Sequence, residues 1–289
     1  MALPKNHILV PIDFSAQSQI ALEQAFNLAN ATRASITILY VIEHSIMDAI
    51  FSSKSEALKY RKNIQKQLDK IVSGAQKSLS SPMDTMIGEG KVYDQVVDVA
   101  KKIRAKFIIM GKSDSNHFIC SNTLRVVREA PCPVISIKGT VHRPFCKHIV
   151  LPLDLTKETR EKVSKAIEFA KHFNSTIHVV AIRTSDDEYL VEKLNSILSQ
   201  VKHYIQHEGV FATAEIIRAD NIAKSVINYS KKVKADLIMM MTQQEMDFTE
   251  YFIGSSAQQL INNSDIPVLS IRPSGKEYGY SYSQTALYS

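Results

Sequence analysis

The chain is short of the residues from which several common kinds of site are built. Its cysteines are Cys120, Cys132 and Cys146, an odd count with no CxxC pair, which argues against a disulfide framework. Nine glycines in 289 residues leave little material for glycine-rich phosphate loops. No stretch approaches the roughly 18 apolar residues of a membrane helix. The opening MALPKNHILVPID reaches Asp13 before any small-residue cleavage site, unlike a secretory leader. A cytoplasmic protein without membrane contact is therefore expected. Walker loops, GxGxxG fingerprints, GxSxG elbows and HxGH signatures are missing from the sequence, so a positioned nucleophile and base have little support.

What remains is an ordinary globular composition, 45% hydrophobic and 22% charged, long enough for about two domains. The net charge of +6 is spread over helix faces such as KYRKNIQKQLDK, with acids interspersed. No basic stripe interleaved with aromatics is present, so no nucleic-acid partner is expected. Cys132, in APCPVISI, reads as a small apolar residue at the start of a buried strand. His203 and His207 are four residues apart, and His142, Cys146 and His148 fall close together. Solvated surface positions account for both groups, and no metal is predicted.

Internal repetition decides the architecture. HILVPIDFS at 7–15 matches HIVLPLDLT at 148–156, VAKKIRAKFIIM at 99–110 matches YSKKVKADLIMM at 229–240, and APCPVISIK at 130–138 matches SDIPVLSIR at 264–272. The matches keep their order and nearly their spacing. In the first half, HILVPI suits a strand buried on both faces. Residues 16–33 then place Ile20, Ala21, Ala25, Leu28 and Ala29 on one helical face. A strand over 35–42, a helix over about 53–80, a strand over 84–87 and a helix over 91–104 follow. KFIIM, a short helix over 122–130 and PVISI complete the half. Such β-α alternation predicts an open five-stranded parallel sheet with helices on both faces, present twice in tandem. The expected domains are 1–139 and 147–273, joined by GTVHRPFCK, with 274–289 a disordered tail. The matched closing strands, PVISI and PVLSI, would leave apolar edges unless they pair, which predicts a pseudo-two-fold pair within one chain.

Ligands of such sheets sit at the carboxyl ends of the strands, near the reversal of strand order. After the first strand come Pro11, Ile12 and Asp13, and in the second half Pro152, Leu153 and Asp154. Either aspartate could accept hydrogen bonds from a ligand or cap the next helix. After the fourth strand, the segments 110–123 and 241–257 end at hydroxyl-bearing helix starts, with Ser121 and Thr123 in one and Gly254, Ser255 and Ser256 in the other. These could hold a phosphate or simply cap their helices.

These motifs together resemble universal stress proteins over residues 5–138 and 147–272. The resemblance implies an adenine-nucleotide alpha-hydrolase-like fold and ATP or a related adenine nucleotide as ligand. It places the base or ribose contacts at Asp13 and Asp154, with Pro11 and Ile12 in the same binding turn, and adenine at Val41, with Ala181 as its counterpart. Lys112 would reach a phosphate. The family's ATP-binding branch carries a G-x-x-G loop, then nine residues, then G-(S/T). Here Gly111 matches the first glycine, but Asp114 and Cys120 replace the others; in the second half Met241 and Gln244 replace the first two, and Gly254-Ser255 keeps the last. The implied function is a non-catalytic stress-response or regulatory binding protein with weakened or lost nucleotide binding, the first half favoured for adenosine and the second for a lone phosphate. A slow ATP-hydrolysing switch and a nucleotide-independent scaffold are the alternatives. An unnamed protein partner, and a chain that stays single or forms dimers, fit each of these.

Overall fold

In HILVP the residues Ile8, Leu9 and Val10 are completely buried, as a strand covered on both faces must be. This strand, β1 (His7–Pro11), starts a computed structural model that describes residues 6–43, 54–75, 79–112, 122–139, 143, 146–153, 159–244, 251–252 and 254–273. The first half continues with α1 (Ala16–Thr32), β2 (Ser35–Ile42), α2 (Lys54–Ala75), β3 (Met83–Glu89), α3 (Val92–Lys102), β4 (Phe107–Gly111), α4 (Asn122–Glu129) and β5 (Val134–Ile137). The second half repeats it with β6 (His148–Leu153), α5 (Thr159–Phe173), β7 (Thr176–Arg183), α6 (Glu188–His207), β8 (Ala212–Arg218), α7 (Ile222–Lys232), β9 (Leu237–Met241), α8 (Ser255–Asn263) and β12 (Val268–Ile271). A two-residue ladder, β10 (Gln243–Gln244) against β11 (Tyr251–Phe252), lies in a stretch the sequence reading treats as loop.

The repeat extends to unusual backbone positions. Arg33 and Asn174 take left-handed φ values of 53° and 51° after equivalent helices, and Arg104 and Lys234 both take 53°. None of the four is glycine, so the chain geometry, and not the side chain, sets the conformation.

The two five-stranded sheets join edge to edge through the closing strands, as the matched PVISI and PVLSI segments led one to expect. One ten-stranded sheet runs β3-β2-β1-β4-β5-β12-β9-β6-β7-β8. Within this sheet all pairings inside each half are parallel, and the halves join through antiparallel β5 and β12, with Leu269 opposite Ile135. Pairing these closing strands satisfies backbone groups that two isolated edges would have left open. Helices α1, α2, α5 and α6 cover one face, and α3, α4, α7 and α8 the other. Both cores pass through the seam: Ile135 and Leu269 belong to one, Val134 and Val268 to the other. Each fully buried aliphatic side chain there contributes about 1.5–3 kcal/mol.

Further contacts hold the halves together. Phe107 of β4 meets Phe169 of α5 edge-on at 6.0 Å. Gly139 passes so close to the second half that a Cβ would lie 2.4 Å from the Asp265 carbonyl oxygen. The tail 274–289 lies outside the described residues.

Candidate functional site

At the carboxyl end of β1, Pro11 closes the strand beside Leu39, and the Ile12 amide donates to the Leu39 carbonyl at 2.8 Å. The chain then turns through Phe14, whose φ is 63°. Asp13 Oδ1 accepts from the Ser15 amide at 3.0 Å and from the Ser15 hydroxyl, while Ser15 Oγ accepts from the Ser18 amide at 3.2 Å as the cap of α1. Of the two readings open for Asp13, the described geometry supports the turn-and-cap role. Partial burial works to raise its pKa, but the hydrogen bonds from Ser15 and Ser18 outweigh it and hold the carboxyl below its ordinary value. Beside this turn, Phe14 stacks on Tyr40 with centroids 5.0 Å apart, and the Tyr40 and Tyr60 hydroxyls lie 3.3 Å apart.

The other first-half candidates disperse. Val41 packs on the α3 and α4 side of the sheet. Gly111 ends β4, where a Cβ would sit 2.5 Å from the Gln17 backbone carbon, so the close approach of α1 demands glycine irrespective of any ligand. Lys112 Nζ makes a long contact of 3.4 Å with the Asn262 carbonyl, near the carboxyl end of α8 in the other half. Thr123 is 3% exposed, on the buried side of α4 with Val126 and Val127. Asp114, Cys120, Ser121 and Asp154 lie outside the described residues.

The second half carries a cleft of about 490 Å³ at the carboxyl ends of β6, β7 and β9. Pro152, Leu153, Ile182, Met240 and Met241 line it from the strands, Lys162 from α5, and Gly254, Ser255, Ser256 and Ala257 from the start of α8. The helix start matters because its first amides point outward with the positive end of the helix dipole. Its N-cap is Gly254, which has no side chain to satisfy them, whereas α1, α6 and α7 are capped by Ser15, Asp187 and Asn221. Adenosine was expected to favour the first half; this cavity lies at the corresponding strand ends of the second. A cavity of similar volume in the first half, about 470 Å³, lies at the sheet's outer edge, between Arg61, Glu89 and Lys102.

Strand register corrects one assignment. Pro11 pairs with Leu39 and Pro152 with Val180, which makes Ile182, not Ala181, the counterpart of Val41. Both pack on the same face of the sheet, and Ile182 lines the cleft. Ala181 instead corresponds to Tyr40, so the second half has a fully buried alanine where the first has its stacked aromatic pair. Met241, which stands in place of the first loop glycine, is buried at 8% exposure and forms part of the cleft wall. Gln244, in place of the second, pairs with Tyr251 in the β10–β11 ladder.

Two cations escaped sequence reasoning. Lys162 is 4% exposed and donates to the Pro152 carbonyl at 3.1 Å. It occupies the position of the buried Ala21 in α1, and comparison of the two helices was the signal that could have found it. Arg183, at the end of β7, lines the cleft and pairs with Asp186, which also meets Arg218 at 3.5 Å.

Neither described cysteine is suited to nucleophilic chemistry. Burial pushes the Cys132 and Cys146 thiols up to about 12, far from the thiolate form. Among the described residues no three His, Cys, Asp or Glu side chains converge as a metal site. His148 Nδ1 and His178 Nε2 lie 3.0 Å apart, at the opposite end of the strands from the cleft. Among the described residues no helix is long and apolar enough to cross a membrane.

Known proteins share this arrangement. A universal stress protein of Archaeoglobus fulgidus superposes with a TM-score of 0.75 over 93% of this chain and 96% of its own, at 16% identity, a likeness of fold. A universal stress protein of Methanocaldococcus jannaschii is 27% identical over 145 residues, 45% of this chain and 85% of that protein. Universal stress protein A of Yersinia pestis is 23% identical over 137 residues, 43% of this chain and 90% of that protein. The sequence profile of the universal stress protein family matches residues 5–138 and again residues 146–272. With both halves matched, the chain belongs to the universal stress protein family, as a tandem two-copy member.

Proposed function

We propose that the chain is a non-catalytic regulatory binding protein of the stress response, and that its ligand site is the second-half cleft. The observation that carries this reading is the cavity of about 490 Å³ beneath the uncapped start of α8, at the strand ends where sheets of this type receive ligands. Adenine nucleotide enters here with reduced affinity. Met241 and the β10–β11 ladder take the place of the two glycines that would let a backbone wrap a triphosphate. Gly254, Ser255 and Ser256 keep a cradle for one anionic group. The family resemblance supports a nucleotide ligand, and the cleft supports this position for it.

Calorimetry with ATP, on the full chain and on Ser255→Asp, tests this. Ser255 is exposed at the first turn of α8, where an added carboxylate favours the helix but repels an anion. The expected result is a Kd for ATP weaker than about 1 µM, rising at least about tenfold in the variant while the thermal midpoint holds. Sub-micromolar binding at two sites per chain would overturn the reading. Multiple-turnover hydrolysis would favour a nucleotide switch, and no binding at all would favour a pure scaffold.

A further inference from the structure

Among the described residues β8 pairs with β7 alone, so its outer side is one of the two open edges of the ten-stranded sheet. Its two ends show which backbone groups are left there. The Ile177 amide donates to the Phe211 carbonyl at 2.8 Å, and the Ala219 amide donates to the Arg183 carbonyl at 3.0 Å. Residues of a parallel ladder bond alternately to one side and the other. The odd-numbered residues of β8 therefore face β7, and Ala212, Ala214, Ile216 and Arg218 turn their amides and carbonyls outward. Phe211, at the foot of the strand, is 76% exposed. The charges along the strand are answered within the chain: Lys232 Nζ lies 3.0 Å from Glu215 Oε1, and Arg218 Nη1 lies 2.6 Å from Asp220 Oδ1. The opposite edge, β3, is blunted, with Pro82 just before it and Asp84 exposed on it.

We infer that β8 is the docking edge for a second copy of this chain, paired antiparallel about a two-fold axis at Glu215. The segment FATAEIIRA, residues 211–219, is complementary in size to its own reverse. In this register Phe211 meets Ala219 of the second copy, Ala212 meets Arg218, Thr213 meets Ile217 and Ala214 meets Ile216. Each contact sets a small side chain against a large one. Directly opposed residues must share a face of the sheet, and Ala214 and Ile216 both pack on the side of α5 and α6. Both also turn their backbone groups outward, so they exchange hydrogen bonds, and about eight such bonds close along the strand. Glu215 meets its own copy at the axis. Each brings its Lys232, and two ion pairs set head to tail across the axis attract where two bare carboxylates would repel. The next registers that keep the faces aligned put Ala214 against itself or Ile216 against itself, leaving a gap or a clash. Antiparallel joining of open edges already unites the halves at β5 and β12. The two-fold arrangement closes, so it gives a dimer and no fibre.

Sedimentation equilibrium of the full chain tests the inference, with disulfide trapping to read the register. A contact built on one strand is smaller than a standard interface, so a reversible dimer with a Kd below about 100 µM is expected. Ala214→Pro removes an outward donor and spares the inner ladder, a placement that edge strands tolerate. Phe211→Asp changes an exposed side chain outside both cores. Each should weaken the dimer at least about tenfold with an unchanged thermal midpoint. Under mild oxidant, Glu215→Cys should link to itself, whereas Thr213→Cys and Ile217→Cys should link only when the two variants are mixed, because only then do the new thiols stand opposite each other. A wild-type chain that stays monomeric at about 500 µM overturns the inference. A dimer that neither Ala214→Pro nor Phe211→Asp weakens also overturns it, and so does a dimer in which Glu215→Cys cross-links no more than the wild type.

Discussion

Arg272 Nη1 donates to the Ala130 carbonyl at 3.1 Å across 142 residues of chain, and to the Glu129 carbonyl at 3.3 Å. A cation from the end of the second half thus answers the negative end of α4 in the first. Arg272→Ala removes both bonds and should lower stability by about 1–3 kcal/mol, with Arg272→Lys recovering part of it. Urea unfolding measures this; an unchanged midpoint would mean that the contact is not formed in solution.

Two glycines should respond in opposite directions to alanine. At Gly111 the new Cβ meets the Gln17 and Ser18 backbone at 2.5–2.6 Å, so β4 or α1 must move, at a cost of about 1–3 kcal/mol. At Gly74, inside α2, nothing lies within 4 Å, and alanine should add about 0.5–1 kcal/mol. Thermal melts of both variants without ligand decide it. A neutral Gly111→Ala would restore a purely ligand-related reason for this glycine.

Ser15→Ala should cost about 1 kcal/mol, because it removes the α1 cap. The substitution also deletes the hydroxyl that donates to Asp13, so the Asp13 pKa should rise towards 3.8. In the wild type the depressed pKa contributes stability above pH 3.8 that is lost as the pH falls below that value. Carboxyl titration by NMR reads the shift directly; an unmoved Asp13 would show that Ser15 is not its main hydrogen-bond donor.

A second acid response comes from the strand starts of the other half. Burial, then the neighbouring His148, lowers the His178 pKa from 6.5, while its Nδ1 lies 2.9 Å from Thr213 Oγ1. The unfolded chain therefore takes up this proton first as the pH falls. Stability is full above pH 6.5 and declines below it, until the folded-state pKa has been passed. The first half has Thr37 at the equivalent strand position, so His178→Thr should flatten this part of the profile. A variant with the same slope between pH 6.5 and 5 as the wild type would rule out His178 as its source.

The tandem sheet was legible because repeated motifs and buried apolar runs declare themselves locally. HILVPI and HIVLPL are strands for the same reason, and PVISI and PVLSI had edges to cover. The site was less legible because its parts depend on three-dimensional approach. Gly111 looked like loop chemistry, but it also answers to the backbone of α1. Lys162 is a residue type that usually stays in water, yet it is buried and donates to the Pro152 carbonyl. The Ala181 assignment missed by one residue, and in a strand one residue changes the face. Lys112 is aimed at the other half, a direction that no local pattern encodes.

The antiparallel junction of β5 and β12 also has an evolutionary consequence. In a symmetric homodimer every substitution appears twice, so a residue good for one site but harmful to its twin is selected against. Fusing the copies into one chain breaks that bond. Tyr40 and Ala181, Ala21 and Lys162, Gly111 and Met241 are pairs that a symmetric assembly would have to hold identical. In one chain each position of such a pair can change without its twin, while the strands of both copies still build the shared sheet.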